Sequence, residues 1–109
     1  MTIQPAVEVS DDSFEEEVLR SPVPVLVAFG ARWCPPCRSL SPVVDEIAAE
    51  TAGTYRVFKV NVDDSRALTR RYRVQSVPLL LFFKDGEICD RVSDTLDKTA
   101  LLNRLAALI

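Results

Sequence analysis

Cys34 and Cys37, separated by Pro35 and Pro36 in the run Trp33-Cys34-Pro35-Pro36-Cys37, are the residues best suited to covalent chemistry in this chain. Two thiols at that spacing can hold a metal ion or close a small redox disulfide. The sequence contains no histidine, which excludes Ser-His-Asp and Cys-His catalysis and removes the commonest zinc ligand. An all-cysteine zinc site takes about four thiolates. Only Cys89 remains, and three cysteines also make a framework of structural disulfides a poor fit. The readings left are dithiol-disulfide exchange, a half zinc site, or two buried structural cysteines.

The flanking elements decide among these. Val23-Pro24-Val25-Leu26-Val27-Ala28-Phe29 is an apolar, β-rich run bounded by Gly30, which predicts a strand buried on both faces and central in its sheet. Beyond Cys37, Leu40, Val43, Val44, Ile47 and Ala48 recur at helical spacing opposite Asp45, Glu46 and Glu50. This helix is expected to close at Gly53, with a kink at Pro42. Cys34 therefore falls at or near a helix N-cap, with its sulfur exposed, and Cys37 lies in the first turn, less exposed. A thiolate at that end is stabilised by the helix dipole and by unpaired N–H groups, which lower a thiol pKa from about 8.5 toward neutrality. Cys34 is then the attacking nucleophile and Cys37 the thiol that resolves the mixed disulfide.

Elsewhere, Val7-Glu8-Val9 alternates like a short strand, and Ser10, Asp11, Asp12 and Ser13 are candidate N-caps for a helix reaching about Arg20. Asp12 and Glu15 have capping-box spacing. Arg56 to Val62 reads as a strand and Ser65 to Tyr72 as a short helix, so the first half alternates β-α-β-α, implying parallel pairing with helices covering the sheet. Leu79 to Phe83 and Ile88 to Val92 flank Asp85-Gly86 as a hairpin. Leu96, Ala100, Leu101, Leu105 and Leu108 mark an amphipathic C-terminal helix. Cys89 is expected to be partly buried in the second hairpin strand, with an intermolecular or regulatory disulfide through it as the alternative.

The chain has 109 residues, 48% of them hydrophobic and 27% charged, the composition of one ordinary globular domain spanning residues 1–109. A net charge of −3 argues against nucleic acid as a partner. Arg66, Arg70, Arg71 and Arg73 read as a solvated helix face rather than a phosphate site. No basic n-region or apolar h-region opens the sequence, and no run is long enough to span a bilayer, so the expectation is a cytoplasmic protein without membrane contact.

The chain resembles the thioredoxin family over nearly its whole length. The resemblance is carried by Asp11-Asp12-Ser13-Phe14, by Ala31-Arg32-Trp33-Cys34 through Cys37, and by Pro42 with Asp45-Glu46-Ile47-Ala48. It continues through Lys59-Val60-Asn61-Val62-Asp63, Ser76-Val77-Pro78 and Phe83-Lys84-Asp85-Gly86-Glu87. It implies an α/β thioredoxin fold, a central mixed β-sheet of four to five strands flanked by helices on both faces. It also implies a cis proline at Pro78 facing the disulfide, with the Val77 backbone offering hydrogen bonds to an extended substrate. Trp33, at the rim beside the nucleophile, reads as substrate-facing. Protein disulfides are the implied substrates and a thioredoxin reductase-type protein the implied electron donor. The chain is expected to act as a monomer with no bound cofactor and no metal.

Departures from the family pattern are as informative. Pro35 stands where glycine is usual, so Pro35 and Pro36 leave only the Cys37 amide as a nearby donor to the Cys34 thiolate. The expected result is a weaker thiolate and a more reducing couple. A similar Trp-Cys-Pro-Pro-Cys-Arg run occurs in tryparedoxin and nucleoredoxin. Ala28 replaces a buried aspartate that could accept the Cys37 proton. Lys59 is left as the charged group of that region, unless it snorkels to solvent along the sheet edge. Gly30 replaces an aromatic residue, and Asp94 replaces a glycine in the substrate-facing loop, adding negative charge to the docking rim. Two alternatives to a disulfide reductase follow: an oxidase or isomerase with a more oxidising couple, or a binding or holdase module in which redox activity is weak.

Overall fold

The computed structural model describes residues 6–93 and 97–108. Asp94 and Leu96, singled out above, lie outside the described residues. Five strands form one mixed sheet in the order β1-β3-β2-β4-β5: β1 Val7–Glu8, β2 Val25–Gly30, β3 Arg56–Asn61, β4 Leu79–Lys84 and β5 Glu87–Val92. β1 and β2 each run parallel to β3, whereas β4 is antiparallel to β2 and β5. The β2 run is central, as its two-sided apolarity requires.

Strand alternation sends successive side chains to opposite faces, and the core divides accordingly. Val25, Val27, Phe29, Phe58, Val60, Leu79, Leu81 and Phe83 pack with Phe14, Val18 and Leu68 on one face. Leu26, Val57, Leu80 and Phe82 pack with Leu40, Val44, Ile47, Leu101 and Leu105 on the other. The second face is covered by α1 (Pro35–Glu50) and α3 (Lys98–Ala106). The first is covered by α2 (Arg66–Arg71) and a turn of π-helix over Glu15–Leu19.

Several local details differ from the sequence reading. The first helical segment is wound more widely than an α-helix: Arg20 N donates to the Glu15 carbonyl, five residues back, at 3.1 Å. Its N-terminus carries no capping box from Asp12. Ser10 N instead donates to Ser13 Oγ at 3.0 Å, and the Ser10 carbonyl accepts from Phe14 N. Asp11 caps a different helix, its carboxylate accepting from Ala67 N (3.3 Å) and Leu68 N (3.0 Å) in the first turn of α2. α1 ends at Glu50, before Gly53; the chain then turns through Thr51, whose carbonyl accepts from Thr54 N and Tyr55 N, and through Gly53 at a φ of 90°. Pro42 lies inside α1, as expected.

The Asp85-Gly86 hairpin adopts positive φ at both residues, 52° and 80°, the backbone twist that a two-residue turn between right-twisted strands requires. Cys89 on β5 is exposed rather than partly buried, because β5 is an edge strand with a mostly exposed burial pattern. Arg66, Arg70, Arg71 and Arg73 are all exposed.

Candidate active site

β2 delivers the chain to the carboxyl end of the sheet at Gly30, and α1 starts five residues later with Pro35 and Pro36 at its first positions. Proline is well suited there: its φ is preset and the absent N–H would have had no intrahelical partner. Cys34 is the N-cap, with extended φ/ψ of −97° and 106°. Its Sγ accepts the Cys37 N–H at 3.2 Å, and its own N–H donates to the Ala31 carbonyl at 3.2 Å. Cys34 and Cys37 are joined as a disulfide.

The Ser76-Val77-Pro78 segment faces this disulfide from the start of β4. The Val77-Pro78 peptide bond is cis, and the Val77 carbonyl oxygen lies 3.7 Å from Cys34 Sγ. Trp33 is 65% exposed and its ring is tethered by Nε1 donating to Asp63 Oδ2 at 2.9 Å.

Exposure of the two cysteines runs opposite to the sequence reading. Cys34 is only 3% exposed, whereas Cys37 is half-buried. The Cys34 side lies against Val77. The flank of Cys37 borders a cavity of about 240 Å3 whose lining includes Ala28, Gly30, Ser41, Lys59 and Asn61. Those sheet residues share one face: Ala28 pairs with Lys59 and Gly30 with Asn61 across β2 and β3. The small side chain at Ala28 and the absence of one at Gly30 leave unfilled the space between this row and α1.

Lys59 is neither on a sheet edge nor unpartnered. β3 lies between β1 and β2, and Lys59 Nζ pairs with Asp45 Oδ1 at 2.7 Å and donates to Ser41 Oγ at 2.6 Å. The same Asp45 oxygen accepts the Ala6 N–H at 2.9 Å. With alanine at 28, the carboxylate that holds this lysine comes from α1. Sequence reading put Asp45 on the polar side of the helix and missed this role. Its one signal is that Ser41 and Asp45 are four residues apart, hence on one helix face.

Among the described residues no group of three or more His, Cys, Asp or Glu could hold a metal ion, and no helix is long and apolar enough to cross a membrane. The arrangement can perform thiol-disulfide exchange: a disulfide at a helix N-terminus, a backbone donor on one sulfur, and an adjacent segment with an inward-facing carbonyl.

Comparison with known proteins agrees. The family model "Thioredoxin" matches residues 5–107. The chain is 46% identical over 100 residues to Thioredoxin 1 of Synechococcus elongatus, covering 92% of this chain and 94% of that protein. It is 45% identical over 98 residues to a thioredoxin of Pyropia yezoensis, covering 90% and 92%. It is 40% identical over 98 residues to the chloroplastic M-type thioredoxin of Spinacia oleracea, covering 90% of this chain and 54% of that protein.

Proposed function

Because the chain belongs to the thioredoxin family and is a thiol-disulfide oxidoreductase that reduces protein disulfides, we propose that Cys34 is its attacking thiolate and Cys37 its resolving thiol. The observation that carries this assignment is the Cys37 N–H donated to Cys34 Sγ at the start of α1. A sulfur at a helix N-terminus with a backbone donor is the better-stabilised anion of the pair. In the reaction the Cys34 thiolate attacks one sulfur of a client disulfide, forming a mixed disulfide and releasing the client's other sulfur as a thiolate. Cys37 then attacks Cys34 Sγ, closing the intramolecular disulfide and releasing the reduced client.

Trp33, Val77 and Pro78 form the substrate rim in this reading. An extended client segment would pair with the Val77 backbone as an added strand does. Pro35, Pro36, Ala28 and Lys59 modulate the two sulfurs. Electrons are returned by a reductase protein of the thioredoxin reductase class. The chain works as one domain and as a monomer, in the cytoplasm, where thiols are kept reduced.

Replacing Cys37 by serine traps the intermediate. Peptide mapping of the covalent complexes formed by Cys37→Ser with a protein disulfide is expected to place the client on Cys34. Attachment to Cys89 instead, or a Cys34→Ser variant retaining full reductase turnover, would refute the assignment.

A further inference from the structure

The cavity beside the disulfide reaches Cys37 but not Cys34. It stays open because of Gly30: a Cβ at that position would lie 3.4 Å from both Cβ and Sγ of Cys37, so a larger side chain would cover the sulfur. Gly30 is not in the left-handed region, so its backbone does not require glycine. Arg32 and Arg38 also line the cavity, and Glu8 is the acid among its lining residues. Lys59 lies in the same wall, already paired with Asp45. The lining therefore carries a surplus of positive charge beside a sulfur that can be attacked. A space of this size admits the cysteinyl end of a small molecule and excludes a folded protein surface.

We infer that this cavity is an entrance for a low-molecular-weight monothiol bearing carboxylates, which reduces the disulfide by attack at Cys37 rather than at Cys34. The inference rests on Cys34 and Cys37 being the reacting pair. The small thiolate forms a new S–S bond with Cys37 Sγ. The Cys34–Cys37 bond breaks, and its electron pair leaves on Cys34 Sγ as a thiolate. That sulfur accepts the Cys37 N–H, and the better-stabilised thiolate is the faster leaving group. A second small thiolate then attacks the small-molecule sulfur of the mixed disulfide, giving the small-molecule disulfide and the Cys37 thiolate. Two small thiols are thus oxidised and the protein pair reduced, with the two thiol protons ending on Cys34 and Cys37 or in water.

The same mixed disulfide can be made from the other side with glutathione disulfide as the probe. In a Cys89→Ser background, Cys34→Ser leaves Cys37 alone and Cys37→Ser leaves Cys34 alone. Capture of glutathione by each is timed by mass spectrometry, with and without Gly30→Val. The expected result is that Gly30→Val slows capture at Cys37 at least tenfold more than capture at Cys34. Equal slowing at both cysteines, or none, overturns the inference. Should Gly30→Val fail to fold, Arg38→Glu, at an exposed position, makes the test through charge. It is expected to lower the preference of Cys37 for glutathione disulfide over cationic cystamine at least fivefold, and an unchanged preference overturns the inference. Turnover of a protein disulfide by the unaltered chain is followed in parallel, so that failure of the cavity route remains distinguishable from failure of the reductase assignment.

Discussion

Pro35 and Pro36 occupy the first two positions of α1, where a missing N–H leaves the helix ladder intact. The consequence falls on Cys34, whose Sγ accepts one backbone N–H, from Cys37. Fewer donors stabilise the thiolate less and so favour the disulfide. Pro35→Gly restores one N–H and is expected to raise the reduction potential by about 30 mV, one decade in the exchange equilibrium. Equilibration with the glutathione couple measures it, and a lower potential in the glycine variant would reject the argument. Ala28, half-buried and in register with Lys59, lines the cavity that Cys37 borders. An aspartate there would have its pKa raised by burial and could accept the Cys37 proton during resolution. Ala28→Asp is therefore expected to speed turnover of a protein disulfide near neutral pH roughly tenfold or more. Unchanged turnover would show that a carboxylate at 28 is irrelevant to this chain.

At the scale of elements, what could be read from sequence was what the chain encodes locally. The two-sided apolarity of β2, the Asp85-Gly86 turn and the strand-to-helix step at Cys34 depend on neighbouring residues, and all three stand in the structure. Interactions that cross the chain were not legible. Asp11 looked like a cap for its own helix but caps α2, more than fifty residues away, a contact made only once the two segments dock. Lys59 reads from sequence as the charged group left in its region, because its partner Asp45 belongs to α1. The exposures of Cys34 and Cys37 depend on contacts of the same kind: Val77 lies against Cys34, and the small side chain of Ala28 and the missing one of Gly30 leave Cys37 beside a cavity. The Asp11 cap gives a direct check. Asp11→Ala leaves two first-turn donors of α2 without a protein acceptor and is expected to lower stability by about 1 kcal/mol, the usual value of an N-cap. Urea denaturation measures this, and an unchanged midpoint with unchanged slope would show that water replaces the carboxylate without loss.

For the molecule as a whole, one sheet separates two apolar layers, and Tyr72 closes one of them. Its ring lies 5.4 Å from that of Phe14, 5.7 Å from Phe83 and 6.3 Å from Phe29, joining α2 to the π-helical turn and the sheet. Burial raises the pKa of its phenol above the ordinary value of 10.0, an effect only partly opposed by the positive charge of Arg71. The neutral phenol is thus favoured in the folded state. Its contribution to stability is complete below the unfolded pKa and is lost as pH rises through the higher folded value. Lys98 titrates in the same direction because Glu50 hydrogen-bonds its ammonium, but that pair is present with or without the Tyr72 hydroxyl and cancels in a comparison. Tyr72→Phe keeps the ring and removes the ionisation. Between about pH 8 and pH 11, spanning the usual phenol value, the melting temperature of the variant should fall less than that of the unaltered chain. Equal falls in the two proteins would mean that the Tyr72 phenol does not couple folding to alkaline pH.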